Sequence, residues 1–204
     1  MRDYTAARAT IAAYGWAFVI ILLCASVHGA WPAFRYDASL PWAWRWASAL
    51  TAQFNHLSWY HWGLNAVGLL LLCWGFAGWW TPRRALVYFA GSLFGVALGV
   101  LTNPAIHWYV GLSGALYGLL AAGCIDRITR RNTTLRQRLP AIGVLLAVAI
   151  KLWIDSRWPE LFSADTAVLG GPVLPIAHVY GATSGAVGAW AGYLASSRFH
   201  KRLK

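Results

Sequence analysis

Six apolar runs, separated by short polar or charged segments, organise the chain. They lie at about residues 10–29, 57–78, 85–101, 113–125, 139–158 and 176–196. A helix needs about 20 apolar residues to cross a hydrocarbon core about 30 Å thick, so each run is read as a membrane-embedded helix. The expected fold class is an all-α membrane protein, a bundle of six transmembrane helices, with residues 1–204 as a single integral membrane domain. The first run follows a basic start, as a signal peptide's would. However, "CASVHGAW" offers no small-x-small cleavage site, so the run is kept as a helix. Two connecting stretches are long. Trp31 to Asn55 is rich in Trp, carries Pro32 and Pro41, and is expected to lie along the membrane interface. Pro159 to Pro175 contains "LGGPVLP", which breaks helices and predicts a flexible loop.

Composition agrees with a lipid environment. The chain is 59% hydrophobic and 11% charged, with 14 Trp, whereas a soluble domain carries about 25% charged residues. The net charge of +11 does not point to nucleic acid, because the charges sit in short segments between apolar runs with no aromatic-basic platform. Thirteen of the 17 Lys and Arg fall before run one, after runs two and four, and at the C-terminal end. By the positive-inside rule both termini are expected in the cytoplasm, with the bilayer as the chain's standing partner. Cys24, Cys73 and Cys124 lie in apolar runs without metal-type spacing and are read as buried thiols.

Run four is the informative one. From Ser113 to Asp126, the first charge on its far side, a helix rises only about 20 Å, too little to cross the core. Ser113 is therefore expected to start a helix roughly 10 Å below the outer surface, and irregular backbone at that depth must be buried in protein or line a wet cavity. Free N–H groups at a helix start favour developing negative charge, which suits a nucleophile. Gly111 and Gly114 permit close approach. Taken alone, "GLSG" is a weak signal and reads better as a helix-start turn with serine as its cap.

Other polar groups at membrane depth change that balance. His178, in "PIAHVYGATSGAVGAW", opens run six from the outer side. Gly114 and Gly118 in run four, with Gly181, Gly185, Gly188 and Gly192 in run six, have the spacing that lets two helices pack closely. A serine needs an adjacent base, usually His, to become nucleophilic. Without a neighbouring acid, Ser113 and His178 read as a dyad. Tyr117, four residues after Ser113, shares its helical face and is suited to hold the imidazole by ring packing. From His178 to Arg198 a helix rises about 30 Å, so run six must extend into the cytoplasm for the two residues to meet. In "HLSWYHWGLN", His61 and Asn65 share one helical face, and both can donate to an oxyanion together with the N–H groups of Ser113 and Leu112. His56 is expected to tie the outer loop to the helix through hydrogen bonds. His28 and His107 read as structural. Lys151 and Asp155, four apart, read as an ion pair or as groups lining the wet cavity.

Together "HLSWYHWGLN", "GLSGALYG" and "AHVYGATSG" carry the H-x4-H-x3-N, G-x-S-G-x3-Y and H-x2-G-x3-G patterns, in order, that resemble the rhomboid intramembrane serine proteases. The resemblance covers nearly the whole chain and implies a rhomboid-like six-helix bundle. It implies Ser113 as nucleophile, His178 as base with Tyr117 stacked on it, and His61 and Asn65 in the oxyanion hole. "ALTAQFNHLSWYHWGLNAVGLLLL" and "WYVGLSGALYGLLAAG" look most like the rhombosortase branch. That implies a bacterial inner (plasma) membrane location and substrates bearing a C-terminal Gly-Gly motif, an anchor helix and a basic tail. One departure is that the family's Trp-Arg pair of the first outer loop is displaced to Trp44–Arg45. No cofactor or metal is implied, and no HExxH motif is present. Two other classes compete. A catalytically inactive rhomboid-like protein that binds membrane segments has no need to keep both Ser113 and His178. A small transporter predicts matching broken repeats, which the sequence lacks.

Overall fold

The structure, a computed structural model, describes residues 15–28, 31–130, 133–158 and 168–202. Helix α1 (Gly15–Ser26) is followed by a short α2 (Trp31–Phe34), strand β1 (Tyr36–Asp37), and α3 (Trp42–Thr51), which tightens into a 3-10 turn at Ala52–Phe54. Then come α4 (Trp59–Gly75), α5 (Pro82–Thr102), strand β2 (Trp108–Tyr109), α6 (Ser113–Thr129), α7 (Leu135–Arg157) and α8 (Pro175–Arg202).

Local chemistry sets several boundaries that apolar periodicity misjudges. Ser58 caps α4 by accepting from the His61 amide at 3.1 Å, so the helix starts at Trp59 rather than residue 57. It stops at Gly75, because the chain turns at Gly78 with φ 77°. Thr81 caps α5 and Pro82 occupies its first turn, where a missing N–H costs nothing. That helix therefore opens ahead of the expected residue 85. A capping box between Thr134 and Gln137 starts α7 at Leu135, earlier than the expected 139. Helices α6 and α8 run past their apolar segments to Thr129 and Arg202, where basic residues tolerate water. Of the expected first run, residues 10–14 and 29 lie outside the described residues, as do 159–167 of the second long loop.

Among the described residues, the fold departs from an all-helical one at a single two-stranded ladder. Tyr36 and Asp37 pair antiparallel with Tyr109 and Trp108. Backbone that leaves a helix near apolar surroundings must still satisfy its N–H and C=O groups, and this two-residue ladder does so for both loops. The Trp31–Asn55 stretch, expected as an interface-lying segment, is mostly helical and is tied into the bundle. Gln53, fully buried, donates to the carbonyls of Ala49 (3.2 Å) and Leu93 (2.8 Å).

Helix α6 is the hub. It buries Gly114, Ala115, Leu116, Gly118, Leu119, Ala121, Ala122, Gly123 and Cys124, and it packs most extensively on α8, then on α5, α7 and α4. The outside of the bundle is apolar: Val67 and Leu71 of α4, Val87 and Phe94 of α5, and Leu146 and Ile150 of α7 are all exposed. An apolar belt of this extent fits lipid rather than water. Helices α5 and α7 are long and apolar enough to cross a membrane by length and composition; α1, as described, is a shorter apolar helix. At the end of α6 away from Ser113, Asp126 pairs with Arg84 (3.2 Å) and Arg130 (3.1 Å) and accepts from the Tyr88 hydroxyl (3.2 Å), joining α5 to α6.

Candidate active site

Helix α6 begins at Ser113 with Leu112 as its N-cap and no side-chain cap. The Ser113 hydroxyl does not cap the helix. Its Oγ lies 2.8 Å from Nε2 of His178, in the first turn of α8. With Nε2 unprotonated, the serine donates and the imidazole accepts, which is the geometry in which a base removes the serine proton. Tyr117 stacks on the His178 ring with centroids 4.5 Å apart and planes at 26°. Among the described residues, Nδ1 of His178 has no hydrogen-bond partner.

Glycines bring these two residues within reach. A Cβ on Gly181 would overlap the Gly114 carbonyl, and one on Gly185 would overlap the Gly118 carbonyl. A Cβ on Gly114 would lie 2.9 Å from the Ala177 carbonyl oxygen, and one on Gly118 2.6 Å from that of Gly181. The helices thus meet backbone to backbone, one residue after Ser113 and three after His178. Gly188 and Gly192, expected to share this packing, do not. A Cβ at either would meet nothing within 4 Å, because the close contact is confined to the first turns of α8 beside the site.

The approach to Ser113 is a constrained loop. Gly111 has φ 118°, which favours glycine. Its amide donates to Ala52 O at 3.0 Å, and its carbonyl accepts from the Tyr109 hydroxyl at 2.5 Å. Burial pushes the Tyr109 phenol's pKa up, so it stays a donor. The His61 ring lies against Gly111, where a Cβ would be 2.9 Å from His61 Cε1. Asn65 uses one amide N–H on the His61 carbonyl at 3.0 Å, leaving the other for a ligand. Asn65, His56 and Leu112 line a common crevice. The first-turn amides of α6 have no intrahelical acceptor. Hydrogen-bond donors of three kinds, imidazole, carboxamide and backbone, therefore surround the segment that carries Ser113.

His56 differs from expectation. Among the described residues, neither of its ring nitrogens meets a hydrogen-bond partner in good geometry. Its ring instead packs edge-on against His61, with centroids 4.9 Å apart. Burial first, and His61 next, lower its pKa to about 3, so it is neutral. It supports His61 by contact, and the loop is tied by Gln53 and by Asn55 Oδ1, which accepts the His56 amide at 2.8 Å. His28 packs on Trp59 at 4.0 Å.

Sequence reading missed Tyr109, Gln53 and the position of Lys151. The lone glutamine in "ALTAQFNH" was the available signal for Gln53, whereas Tyr109 depends on the β ladder. Lys151 Nζ and Asp155 Oδ2 are 2.5 Å apart, and the same ammonium lies 6.0 Å from the Tyr117 ring centroid. Among the described residues, no group of three or more His, Cys, Asp or Glu side chains is placed to hold a metal ion.

Compared with known families, the chain matches the family described as Rhomboid domain over residues 43–195. No curated protein matches the chain.

Proposed function

The chain belongs to the rhomboid family of integral membrane proteins, which are intramembrane serine proteases, and from that premise we propose that it is an active Ser–His endopeptidase cutting membrane-anchored proteins. The 2.8 Å approach of Ser113 Oγ to His178 Nε2 is the observation that carries this reading.

In this reading His178 takes the Ser113 proton as Oγ attacks the scissile carbonyl. The tetrahedral oxyanion accepts from His61, from the free N–H of Asn65, and from the amides of Leu112 and Ser113; such donors are each worth about 10²–10³ in rate. The imidazolium then protonates the leaving amine. Water, deprotonated by the same imidazole, opens the ester and restores Ser113. Tyr117 holds the imidazole plane, and Gly111, Gly114, Gly181 and Gly185 supply the close backbone approach. His56 backs His61.

The finer parts of the proposal are six spans in a bacterial inner membrane with both termini cytoplasmic, and substrates of the rhombosortase type. Thirteen of the 17 basic residues gather in the segments that six spans would put on one side, which supports the orientation. A buried site needs an extended segment, and Gly destabilises a helix by about 1 kcal/mol relative to Ala, which supports cleavage near a Gly-Gly motif ahead of a C-terminal anchor and basic tail.

The test is co-expression with an anchored protein of that design. Ser113→Ala and His178→Ala should abolish cleavage while insertion persists. A fluorophosphonate should label Ser113 only when His178 is present. Cleavage that survives Ser113→Ala would end the protease reading. Unchanged processing after both glycines become leucine would end the rhombosortase assignment alone.

A further inference from the structure

A Lys–Asp pair inside an apolar helix is costly, and such pairs mark functional positions by default. The pair on α7 lies at one end of an unbroken series of contacts. Asp155 Oδ2 accepts from Lys151 Nζ at 2.5 Å. The ammonium lies 6.0 Å from the Tyr117 ring centroid. Tyr117 stacks on His178 at 4.5 Å, and His178 meets Ser113 at 2.8 Å. Two features separate this pair from a simple structural staple. The Asp155 side chain is only 7% exposed, yet its Oδ1 has no hydrogen-bond partner among the described residues. The Lys151 side chain is 48% exposed, so the cation is held beside the site without being sealed into the core.

We propose that Lys151 and Asp155 are positioning residues: the ion pair holds the Tyr117 ring against His178 and so keeps the imidazole aligned with the Ser113 hydroxyl. This rests on the protease reading above. His178 needs such help because its Nδ1 has no hydrogen-bond partner among the described residues. In a triad, a carboxylate on that nitrogen fixes the ring and steadies the imidazolium. Here, the stack with Tyr117 and the bond to Ser113 are the contacts that orient the ring. A cation beside an aromatic face attracts its π electrons, the more so away from water, so the ammonium steadies the tyrosine ring. Asp155 in turn makes the cation tolerable at that depth and limits where Lys151 can reach. Neither residue touches the reacting atoms in this role.

The experiment uses the full-length protein in bilayer nanodiscs, with cleavage kinetics on an anchored substrate, fluorophosphonate labelling of Ser113, and thermal unfolding. Lys151→Met keeps length and removes charge. It should lower kcat and the labelling rate by about tenfold, the scale of a sub-ångström misplacement, with KM within about twofold. Lys151→Arg should recover most of the loss. Tyr117→Leu added to Lys151→Met should cost little beyond Tyr117→Leu alone, because the two act in series. Asp155→Asn should fall between Lys151→Met and the parent. If Asp155→Asn fails to fold, the lysine series still decides the matter. Wild-type kcat and labelling in Lys151→Met would overturn the proposal. So would losses that track thermal stability alone, or losses that multiply fully with those of Tyr117→Leu. Cleavage surviving in Ser113→Ala would instead remove the protease reading on which the proposal stands.

Discussion

Replacing Gly181 by Ala probes the link between helix packing and chemistry most directly. The added Cβ would overlap the Gly114 carbonyl oxygen and lie 2.6 Å from its carbon, where carbon–carbon contact needs about 3.5 Å. The obstacle is backbone on a buried helix, so no side chain can rotate aside. Helices α6 and α8 must separate by roughly 1 Å, or one must bend by as much. Overpacking of this kind costs about 1–3 kcal/mol of stability. The same displacement would stretch the Ser113–His178 bond from its 2.8 Å to about 3.8 Å, beyond hydrogen-bond range. A misplacement of that size can cost about 10² in rate. Gly188→Ala is the matched control on the same helix, since its Cβ would meet nothing within 4 Å. There, Ala replaces Gly in a helix interior and should leave the rate unchanged while stabilising the helix by up to about 1 kcal/mol. The assay is the cleavage rate of purified protein in bilayers, read beside fluorophosphonate labelling and thermal unfolding. Retention of activity within twofold in Gly181→Ala would refute the argument that backbone contact sets the Ser113–His178 distance. An equal loss in Gly188→Ala would do the same.

Other expectations follow from single contacts. His61→Ala and Asn65→Ala should each lower the cleavage rate by about 10²–10³ without abolishing it, because several donors share the oxyanion; complete loss in either alone would argue against a shared hole. Gly111→Ala adds a side chain at φ 118° and 2.9 Å from His61 Cε1, so the loop should shift and the labelling rate fall, with a stability loss of about 1–3 kcal/mol. Asp126→Asn breaks two ion pairs and should lower thermal stability yet leave kcat intact, since Asp126 sits at the other end of α6 from Ser113. Reporter fusions after Lys204 should read as cytoplasmic, and an external reading would overturn the orientation drawn from the basic residues.

Periodicity is a local property, and it was legible. Ser113 with Tyr117, His61 with Asn65, and Lys151 with Asp155 are each four apart, so any helix through them aligns the partners on one face. Caps and turns within a few residues, such as Thr134 with Gln137 or Gly78, are local too; apolar length by itself does not mark them, which is why the expected boundaries lie elsewhere. What separates residues far along the chain is different in kind. Gly181, Gly185, Gly188 and Gly192 look alike in sequence, yet the first two meet α6 backbone to backbone while a Cβ on either of the last two would meet nothing within 4 Å, because close contact is limited to one end of a crossing between two rods. The Tyr36–Tyr109 ladder involves two residues a side, too few for any alternating pattern to announce it. The ring of Tyr117 meets both His178 and Lys151 only because α6, α7 and α8 pack around one point. Spacing along one helix states which side chains share a face; which face turns toward which neighbour, and at what distance, follows from the packing of the whole bundle.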